Sequence, residues 1–225
     1  MFRPLLISMF LTSAALADTW TVDDDGPADF DSIYLAVAAA SDGDVILVME
    51  GTYYESYINP HGKTILVEGE TDSEGEPLVT INGMQSGAIL EFYSGEGSDT
   101  IFRHFILTNG SSYYGGGMTL FDGSSPTVEY CIFRENIGTI EGGAIHLREN
   151  CNPIINNCIF ENNIAYGCYK VLLLLPLQIT SRNASAVAAS VSGSTRTSQR
   201  RKCFSIRLLI TTSARARPSS PRVCS

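Results

Sequence analysis

The feature that most constrains the fold of this chain is a sequence repeat between residues 115 and 167. Each copy contains a glycine pair, a proline, a cysteine, a phenylalanine and an asparagine in the same order. The repeated positions are Gly116 and Gly117 with Gly142 and Gly143, Pro126 with Pro153, Cys131 with Cys158, Phe133 with Phe160, and Asn136 with Asn163. The two glycine pairs are separated by one residue fewer than the other repeated positions are. A period in the twenties is typical of a solenoid, in which each coil buries its apolar face only against its neighbours.

The residues within each copy favour short β-strands. Segments 127–133 and 154–160 are rich in strand-forming residues without helical spacing, and Gly, Asn, Ser and Pro cluster between them. Stacked coils place equivalent residues above one another at the inter-strand spacing of ~4.8 Å. We therefore predict that the repeated cysteines and phenylalanines stack inside the solenoid. The repeated asparagines are predicted to lie at a corner, where their amides bond to neighbouring backbone.

The repeat is similar to that of a known family. Segment 142–145 (GGAI) and segments 133–136 and 160–163 (FREN and FENN) resemble the GGAI and FxxN tetrapeptides of polymorphic outer-membrane protein repeats. Those repeats belong to the pectin lyase-like group of right-handed parallel β-helices. The resemblance covers two copies and implies an all-β chain folded as a right-handed parallel β-helix.

A second resemblance lies nearer the N-terminus. A helical pattern precedes segments 43–49 (GDVILVM), 51–55 (GTYYE) and 63–69 (KTILVEG), and this order resembles the opening of pectin methylesterases and of secreted proteins often labelled pectate lyases. We predict an amphipathic helix from Asp29 to Asp42, with Asp29 as its N-cap, covering the open first coil. Further strands are predicted at 77–81, 88–92 and 100–107.

The first 17 residues have the organisation of a secretory signal. Arg3 precedes a short apolar run, and Ala15-Leu16-Ala17 forms a small-x-small cleavage site. We predict cleavage between Ala17 and Asp18 and a secreted, extracellular or outer-surface location. The alternative is an N-terminal strand or short anchor, although the apolar run is shorter than the ~20 residues that a membrane span needs.

Charge divides the chain into two parts. Residues 1–167 contain 24 acidic and 5 basic residues, whereas residues 168–225 contain 10 basic residues, no acid and 11 serines. We predict a lead-in with a capping helix at 18–43, a β-helix of about five coils at 44–167, and a basic Ser/Arg-rich tail at 168–225. For the tail we favour an out-of-frame translation that truncates a longer β-helix. A surface-attachment tail and a C-terminal sorting segment are the alternatives.

The sequence contains no recognisable catalytic constellation, so the catalytic residues are unknown. Cleavage of a polyuronate by β-elimination needs a strong base, and the basic residues between 18 and 167 are Lys63, Arg103, Arg134 and Arg148. Hydrolysis needs two carboxylates on one face, and no stacked Asp pair is evident. The scattered histidines are His61, His104 and His146. Of these, His146 could face a groove or be an ordinary solvated or hydrogen-bonded strand residue.

Metal and cofactor signals are weak. The absence of a CxxC pair argues against zinc. Asp23-Asp24-Asp25 could ligate calcium or form a solvated acidic lead-in, and we predict no cofactor unless the protein is a lyase that uses calcium. Cys131 and Cys158 could form a disulfide or remain buried thiols. Four tyrosines could stack on sugars or simply pack: Tyr53, Tyr54, Tyr113 and Tyr114.

Two functional hypotheses follow. The first is a secreted or cell-surface β-helix with a structural, adhesin-like or glycan-binding role. The second is a fragment of a polysaccharide lyase or hydrolase whose catalytic coils lay beyond Gly167. The acidic body disfavours nucleic acid and unesterified pectin unless a cation bridges the charges. We expect a polysaccharide or cell-surface partner, no nucleic acid and no membrane span, with the oligomeric state left open.

Overall fold

A computed structural model of the chain describes residues 17–148 and 150–166, together with the backbone of two short strands farther on. Within these residues the elements are, in chain order, β1 (Thr19–Val22), α1 (Ile33–Ala39), β2 (Val45–Val48), β3 (Gly51–Tyr53), β4 (Leu66–Gly69), β5 (Val79–Asn82), β6 (Leu90–Phe92), β7 (Ile101–Arg103), β8 (Phe105–Thr108), β9 (Ser111–Ser112), β10 (Met118–Leu120), β11 (Thr127–Glu129), β12 (Ile132–Arg134), β13 (Ile137–Gly138), β14 (Ile145–Leu147), β15 (Ile154–Glu161), β16 (Ile164–Ala165), β17 (Ile179–Ser181) and β18 (Ala189–Val191).

The strands stack into parallel columns that run along a solenoid of about six turns. The first column contains β1, β2, β4, β7, β11 and β15, and the second contains β3, β5, β8, β12 and the second half of β15. The third column contains β6, β10, β14 and β18, and β9, β13 and β16 form a short fourth one. The predicted all-β, parallel β-helical fold with one N-terminal helix is therefore confirmed.

The core is a continuous apolar column inside the coils. Strand residues alternate between buried and partly exposed positions, as in β5 and β12, and five phenylalanines are fully buried: Phe92, Phe102, Phe105, Phe133 and Phe160. Phe133 and Phe160 pair in register, and their rings stack with centroids 5.0 Å apart. Burial of these faces between neighbouring coils is the main stabilising contribution that such a stack has available.

The helix is shorter than the sequence predicted, and the predicted N-cap is wrong. Ser32 is the N-cap, and its side chain accepts a hydrogen bond from the Leu35 amide at 3.2 Å. The Asp29 carboxylate instead accepts hydrogen bonds from the amide and hydroxyl of Thr21 in β1. Because Phe30 forms a bridge with Val22, the residues before Ser32 are held against β1 and do not enter the helix.

Two strands depart from the predicted boundaries. β1 lies in the segment that the sequence analysis assigned to a lead-in, yet it pairs with β2 over all four residues. The predicted strand at 100–107 is divided into β7 and β8 by His104, whose φ of 63° interrupts extended backbone. The solenoid thus begins before the helix, and the corner between β7 and β8 occurs where His104 adopts a positive φ.

Several predicted segments fall outside the described residues. Residues 1–16, which hold most of the predicted signal, are among them, as is most of the basic tail. Within the tail, the backbone of β17 pairs with β15 and that of β18 pairs with β14. Among the described residues, no helix has the length and apolar character needed to cross a membrane.

Candidate functional site

The outer face of the third column carries a cleft with a volume of about 480 Å³. Its floor contains Glu91 from β6 and Thr119 from β10, and its walls contain aromatic rings from neighbouring corners. The lining residues are Tyr57, Ser86, Gly87, Glu91, Ser111, Ser112, Tyr113, Tyr114, Thr119, Phe121 and Thr139. Hydroxyl groups, aromatic rings and one carboxylate therefore surround the same space.

The three-residue strands of this column dictate which side chains face outward. In β6, β10 and β14 the first and third residues are buried in the core, so the alternation of a strand turns the middle residue to the outer face. Those middle residues are Glu91, Thr119 and His146, and they pair in register on successive coils. The column thus presents a row of polar side chains along the solenoid.

One wall of the cleft is an aromatic cluster that covers the end of this row. The Tyr114 ring stacks on the His146 imidazole, with centroids 5.0 Å apart at 26°, and Phe121 packs edge-on to Tyr114 at 5.6 Å. The preceding loop reaches this position because Gly115 approaches the Met118 carbonyl and the His146 backbone so closely that a Cβ would clash with them. His146 is fully buried in this arrangement.

Tyr57 contributes a further aromatic ring to the cleft lining. Its hydroxyl donates a hydrogen bond to the Ser86 carbonyl at 2.7 Å, and its ring lies against Gly87, where a Cβ would occupy the ring position. Tyr57 also adopts a φ of 61°, a conformation that non-glycine residues take only when surrounding contacts enforce it. The local structure therefore holds this ring at the edge of the cleft.

Below the aromatic wall, His146 and Glu141 form a buried contact. Nδ1 of His146 lies 2.8 Å from Oε2 of Glu141. Burial, assisted by the positive charge of Arg148, lowers the pKa of His146 to about 4. Burial also raises the pKa of Glu141, and Arg148 partly opposes that shift. The site thus favours the neutral imidazole, and His146 supports the Tyr114 ring from beneath without contact with solvent.

Arg148 lies over the same aromatic wall. Its guanidinium carbon is 5.9 Å from the centroid of Tyr114 and 5.5 Å from that of Phe121. These distances are within the range of cation–π attraction. The rings of this wall can therefore hold a positive charge against their faces.

The structure places the repeated asparagines at a corner of the coils. The Asn136 side chain is fully buried, accepts a hydrogen bond from the Gly110 amide at 2.8 Å and donates to the Leu107 carbonyl at 2.9 Å. Asn163 Oδ1 accepts from Asn136 Nδ2, and Asn163 Nδ2 donates to the Phe133 carbonyl at 2.8 Å. These residues link three successive coils and do not line the cleft.

The structure pairs the repeated glycines one position differently from the sequence analysis, which matched Gly116 with Gly142 and Gly117 with Gly143. Gly116 and Gly143 occupy equivalent positions, since a Cβ on either one would clash with the backbone of Ile137 or Ile164, which pair with each other. Gly142 therefore corresponds to Gly115, and Ala144 corresponds to Gly117. The period at this corner is thus the same as elsewhere in the repeat, because the first copy contains three consecutive glycines.

The repeated cysteines lie in the core as thiols. Cys131 and Cys158 are free and buried, and their sulfurs lie 3.3 Å and 3.4 Å from the carbonyl oxygens of Glu129 and Asn156. Burial raises the pKa of Cys131, and the adjacent Cys158 thiol adds to the shift. Both groups thus behave as small apolar residues with weak donors.

The basic residues available in the body for elimination chemistry make contacts elsewhere. Lys63 Nζ donates to the carbonyls of Val37 and Ala38 at the end of α1, at 2.7 Å and 2.8 Å. Arg103 lies 2.8 Å from Glu68, and this hydrogen bond raises its pKa. Arg134 lies on β12 and pairs in register with Glu161 of β15.

The remaining candidate residues lie outside the cleft lining. His61 packs edge-on to Tyr93, and His104 packs against Tyr130 at 5.2 Å. The ligand atoms of Asp23, Asp24 and Asp25 lie within 4.8 Å of one another, but the Asp23 carboxylate also accepts hydrogen bonds from the Asp25 and Gly26 amides of its own turn. Ala17 and Asp18 immediately precede β1, and the Asp18 amide donates a hydrogen bond to the Asp44 carboxylate.

Sequence reasoning identified only part of the cleft. Of the four tyrosines proposed for sugar contact, Tyr113 and Tyr114 line it, whereas Tyr53 is buried, with its hydroxyl donating to the Val22 and Met49 carbonyls. Tyr54 is exposed but is not a lining residue. Tyr57, Glu91 and Phe121 also line the cleft and were not among the residues predicted from the sequence. Alignment of the triplets LEF, MTL and IHL (residues 90–92, 118–120 and 145–147) would have revealed the floor.

Parallel strands stacked in about six turns around one apolar column define the class of parallel β-helix proteins. The family model described as "Right handed beta helix region" matches residues 54–171 of the 225. The chain belongs to this right-handed β-helix family. Comparison of the chain with curated proteins and with solved structures finds no match.

Proposed function

We propose that this protein is a glycan-binding β-helix of the cell exterior and that its ligand occupies the cleft over the third column. The observation that carries the proposal is the meeting of four aromatic rings with hydroxyl groups and a carboxylate in one open cleft. A pyranose ring has an apolar face that packs on aromatic rings and a rim of hydroxyls that bond to polar groups. Binding clefts commonly combine these two kinds of lining.

The exposure of the rings supports this assignment. Both Tyr113, which is 70% exposed, and Tyr57, which is 49% exposed, line the cleft. Both retain apolar surface that a ligand would remove from water, and tyrosine and other aromatic residues are enriched where proteins bind partners. The cleft volume of about 480 Å³ is within the range of sites for small ligands, roughly 300–1,000 Å³.

The charge of the body restricts the glycans that fit. Residues 18–167 contain 24 acidic and 4 basic residues, and the cleft floor adds the Glu91 carboxylate. Like charges repel a polyuronate approaching this surface unless a cation bridges them. Glycans without carboxylates are the better candidates.

The family-level expectations agree with a role outside the cell. The GGAI and FxxN motifs resemble polymorphic outer-membrane protein repeats of the pectin lyase-like group, and residues 1–17 resemble a secretory signal. Both resemblances support a secreted or surface-attached protein whose partner is a polysaccharide or another cell-surface component. The hypothesis of a polysaccharide lyase has less support from the described residues, because Lys63 and Arg103 are engaged in structural contacts.

Calorimetric titration of the full chain with soluble hexasaccharides of neutral, amino and acidic sugars tests the proposal. We expect at least one class to bind, and Tyr113→Ala to weaken that binding roughly tenfold, since an aromatic contact contributes on the order of 1 kcal/mol. Tyr54→Ala is the matched control, because Tyr54 is 63% exposed outside the cleft lining. Failure of every hexasaccharide to bind, or equal binding by Tyr113→Ala and wild type, would contradict the proposal.

A further inference from the structure

The cleft floor contains a carboxylate that the protein itself does not neutralise. Glu91 is half-buried in β6, and within the described chain no hydrogen bond or ion pair engages its side chain. Its in-register neighbour Thr119 does not supply a donor, because the Thr119 hydroxyl donates to the Gly115 carbonyl at 3.0 Å. A half-buried charge without a partner costs free energy that a cationic ligand would recover.

The aromatic walls around this carboxylate also favour a cation. Tyr57, Tyr113, Tyr114 and Phe121 line the same cleft, and the faces of such rings carry partial negative charge. Two of the rings, Tyr114 and Phe121, already hold the Arg148 guanidinium at 5.9 Å and 5.5 Å, so the rings left for a ligand are Tyr57 and Tyr113, which are 49% and 70% exposed. Aromatic rings grouped around one space are a recognised arrangement for binding ammonium groups.

We propose that the cleft selects a glycan whose sugars carry free amino groups, with one sugar ammonium bound to the Glu91 carboxylate and tyrosine rings packed on the pyranose faces. This inference rests on the proposed glycan-binding function and adds the ligand class. The ammonium supplies both the charge and the N–H donors that the carboxylate lacks. An N-acetylated sugar has no positive charge at this position and cannot form the ion pair, and a uronic acid introduces repulsion.

Three probes and two variants of the full chain separate the ligand classes. The probes are β-1,4-linked glucosamine hexamer, its fully N-acetylated counterpart and galacturonate hexamer, each titrated calorimetrically at one ionic strength. We expect the glucosamine hexamer to bind at least tenfold more tightly than the N-acetylated one. Glu91→Gln is expected to abolish that difference, whereas Glu74→Gln, which removes an exposed carboxylate from a turn outside the cleft, should preserve it.

Acid pH provides an independent readout. Because burial raises the pKa of Glu91, its carboxylate becomes protonated at a higher pH than that of an ordinary glutamate. The affinity for the glucosamine hexamer should therefore fall as the pH is lowered through this range, and the affinity for the N-acetylated hexamer should not. In Glu91→Gln, the affinity for the glucosamine hexamer should depend less on pH than in the wild type, with the remaining dependence coming from the other carboxylates of the body, including Glu141, whose pKa burial also raises.

The outcomes distinguish this inference from the broader proposal. Equal affinity for the two hexamers, unaffected by Glu91→Gln, overturns the inference and leaves glycan binding intact. Tight glucosamine binding that falls equally in Glu91→Gln and Glu74→Gln indicates general attraction to the acidic body and also overturns it. Failure of all three probes to bind overturns both.

Discussion

At the scale of single residues, the corners of the coils depend on asparagine and glycine together. Gly110 approaches the Gly116 carbonyl so closely that no side chain fits there, and the amide of Gly110 is satisfied by Asn136. Asn136 in turn donates to the Leu107 carbonyl and to Asn163. A tight corner thus obtains its hydrogen bonds from a buried side chain, since neighbouring backbone cannot supply all of them.

Replacement of Asn136 by alanine should destabilise the protein substantially. The change leaves the buried Gly110 amide and Leu107 carbonyl without their partners, and each such loss costs on the order of 1–3 kcal/mol. We expect the free energy of unfolding in urea to fall by about 3 kcal/mol. Asn152→Ala, at an exposed position, is the control and should change it by less than about 0.5 kcal/mol. Equal effects of the two substitutions would show that the corner bonds do not stabilise the fold.

The residues of the regular repeat could be predicted from the sequence, whereas most of the cleft residues could not, and the difference has a physical reason. Phe133 and Phe160 face the same environment one coil apart, so the sequence repeats where the structure repeats. Glu91 and Tyr57 lie in irregular coils, where Glu91 pairs with Thr119 at a longer spacing than that of the regular repeat. Their proximity arises from corners of different length, which no single period in the sequence reveals.

At the scale of elements, the helix is attached to the solenoid at both ends. The Glu55 carboxylate accepts hydrogen bonds from the Ile33 and Tyr34 amides at 3.0 Å and 2.8 Å, and Lys63 donates to the last carbonyls. Burial raises the pKa of Glu55 and lowers that of Lys63. The unsatisfied backbone groups at both helix ends are therefore met by side chains from the coil beneath.

The helix stabilises the first coil through its buried face, and substitutions on its buried and exposed faces should differ in cost. Ile33 is fully buried against the core, whereas Leu35 is 50% exposed on the same helix. We expect Ile33→Ala to lower the free energy of unfolding by about 3 kcal/mol, from lost burial and the cavity left behind. Leu35→Ala, measured in the same urea titration, should cost less than about 0.5 kcal/mol. Similar costs for both would mean that the helix does not cover the core.

The existence of most elements was predictable, but their limits were set by contacts that the sequence does not display. Segment 29–42 has a helical pattern, yet the helix begins only at Ile33 because Asp29 binds Thr21. β1 was missed because its four residues precede an acidic run and match no repeat. Both of these errors arise where the chain contacts β1, which is where long-range contacts override local preference.

At the scale of the whole molecule, each coil touches only its two neighbours. β7 pairs with β4 and β11 in the first column, whereas β1 pairs only with β2 among the strands that the structure describes there. In such a linear stack the stability is a sum of coil terms and interface terms, so terminal coils open before central ones. Within the described part of the chain, the β1 coil has one coil interface, and α1 packs against β1 and β2.

Hydrogen–deuterium exchange should therefore decrease from the N-terminal end towards the centre. Amides of β7 and β8 are expected to exchange at least tenfold more slowly than those of β1, because a tenfold factor needs a difference in opening free energy of only about 1.4 kcal/mol. In Ile33→Ala, exchange should accelerate further in β1 and β2, since the helix that covers them is weakened, while β12 remains unchanged. Uniform exchange along the solenoid, or equal acceleration in β2 and β12, would show that the coils unfold as one unit and that the stack is not governed by nearest-neighbour interfaces.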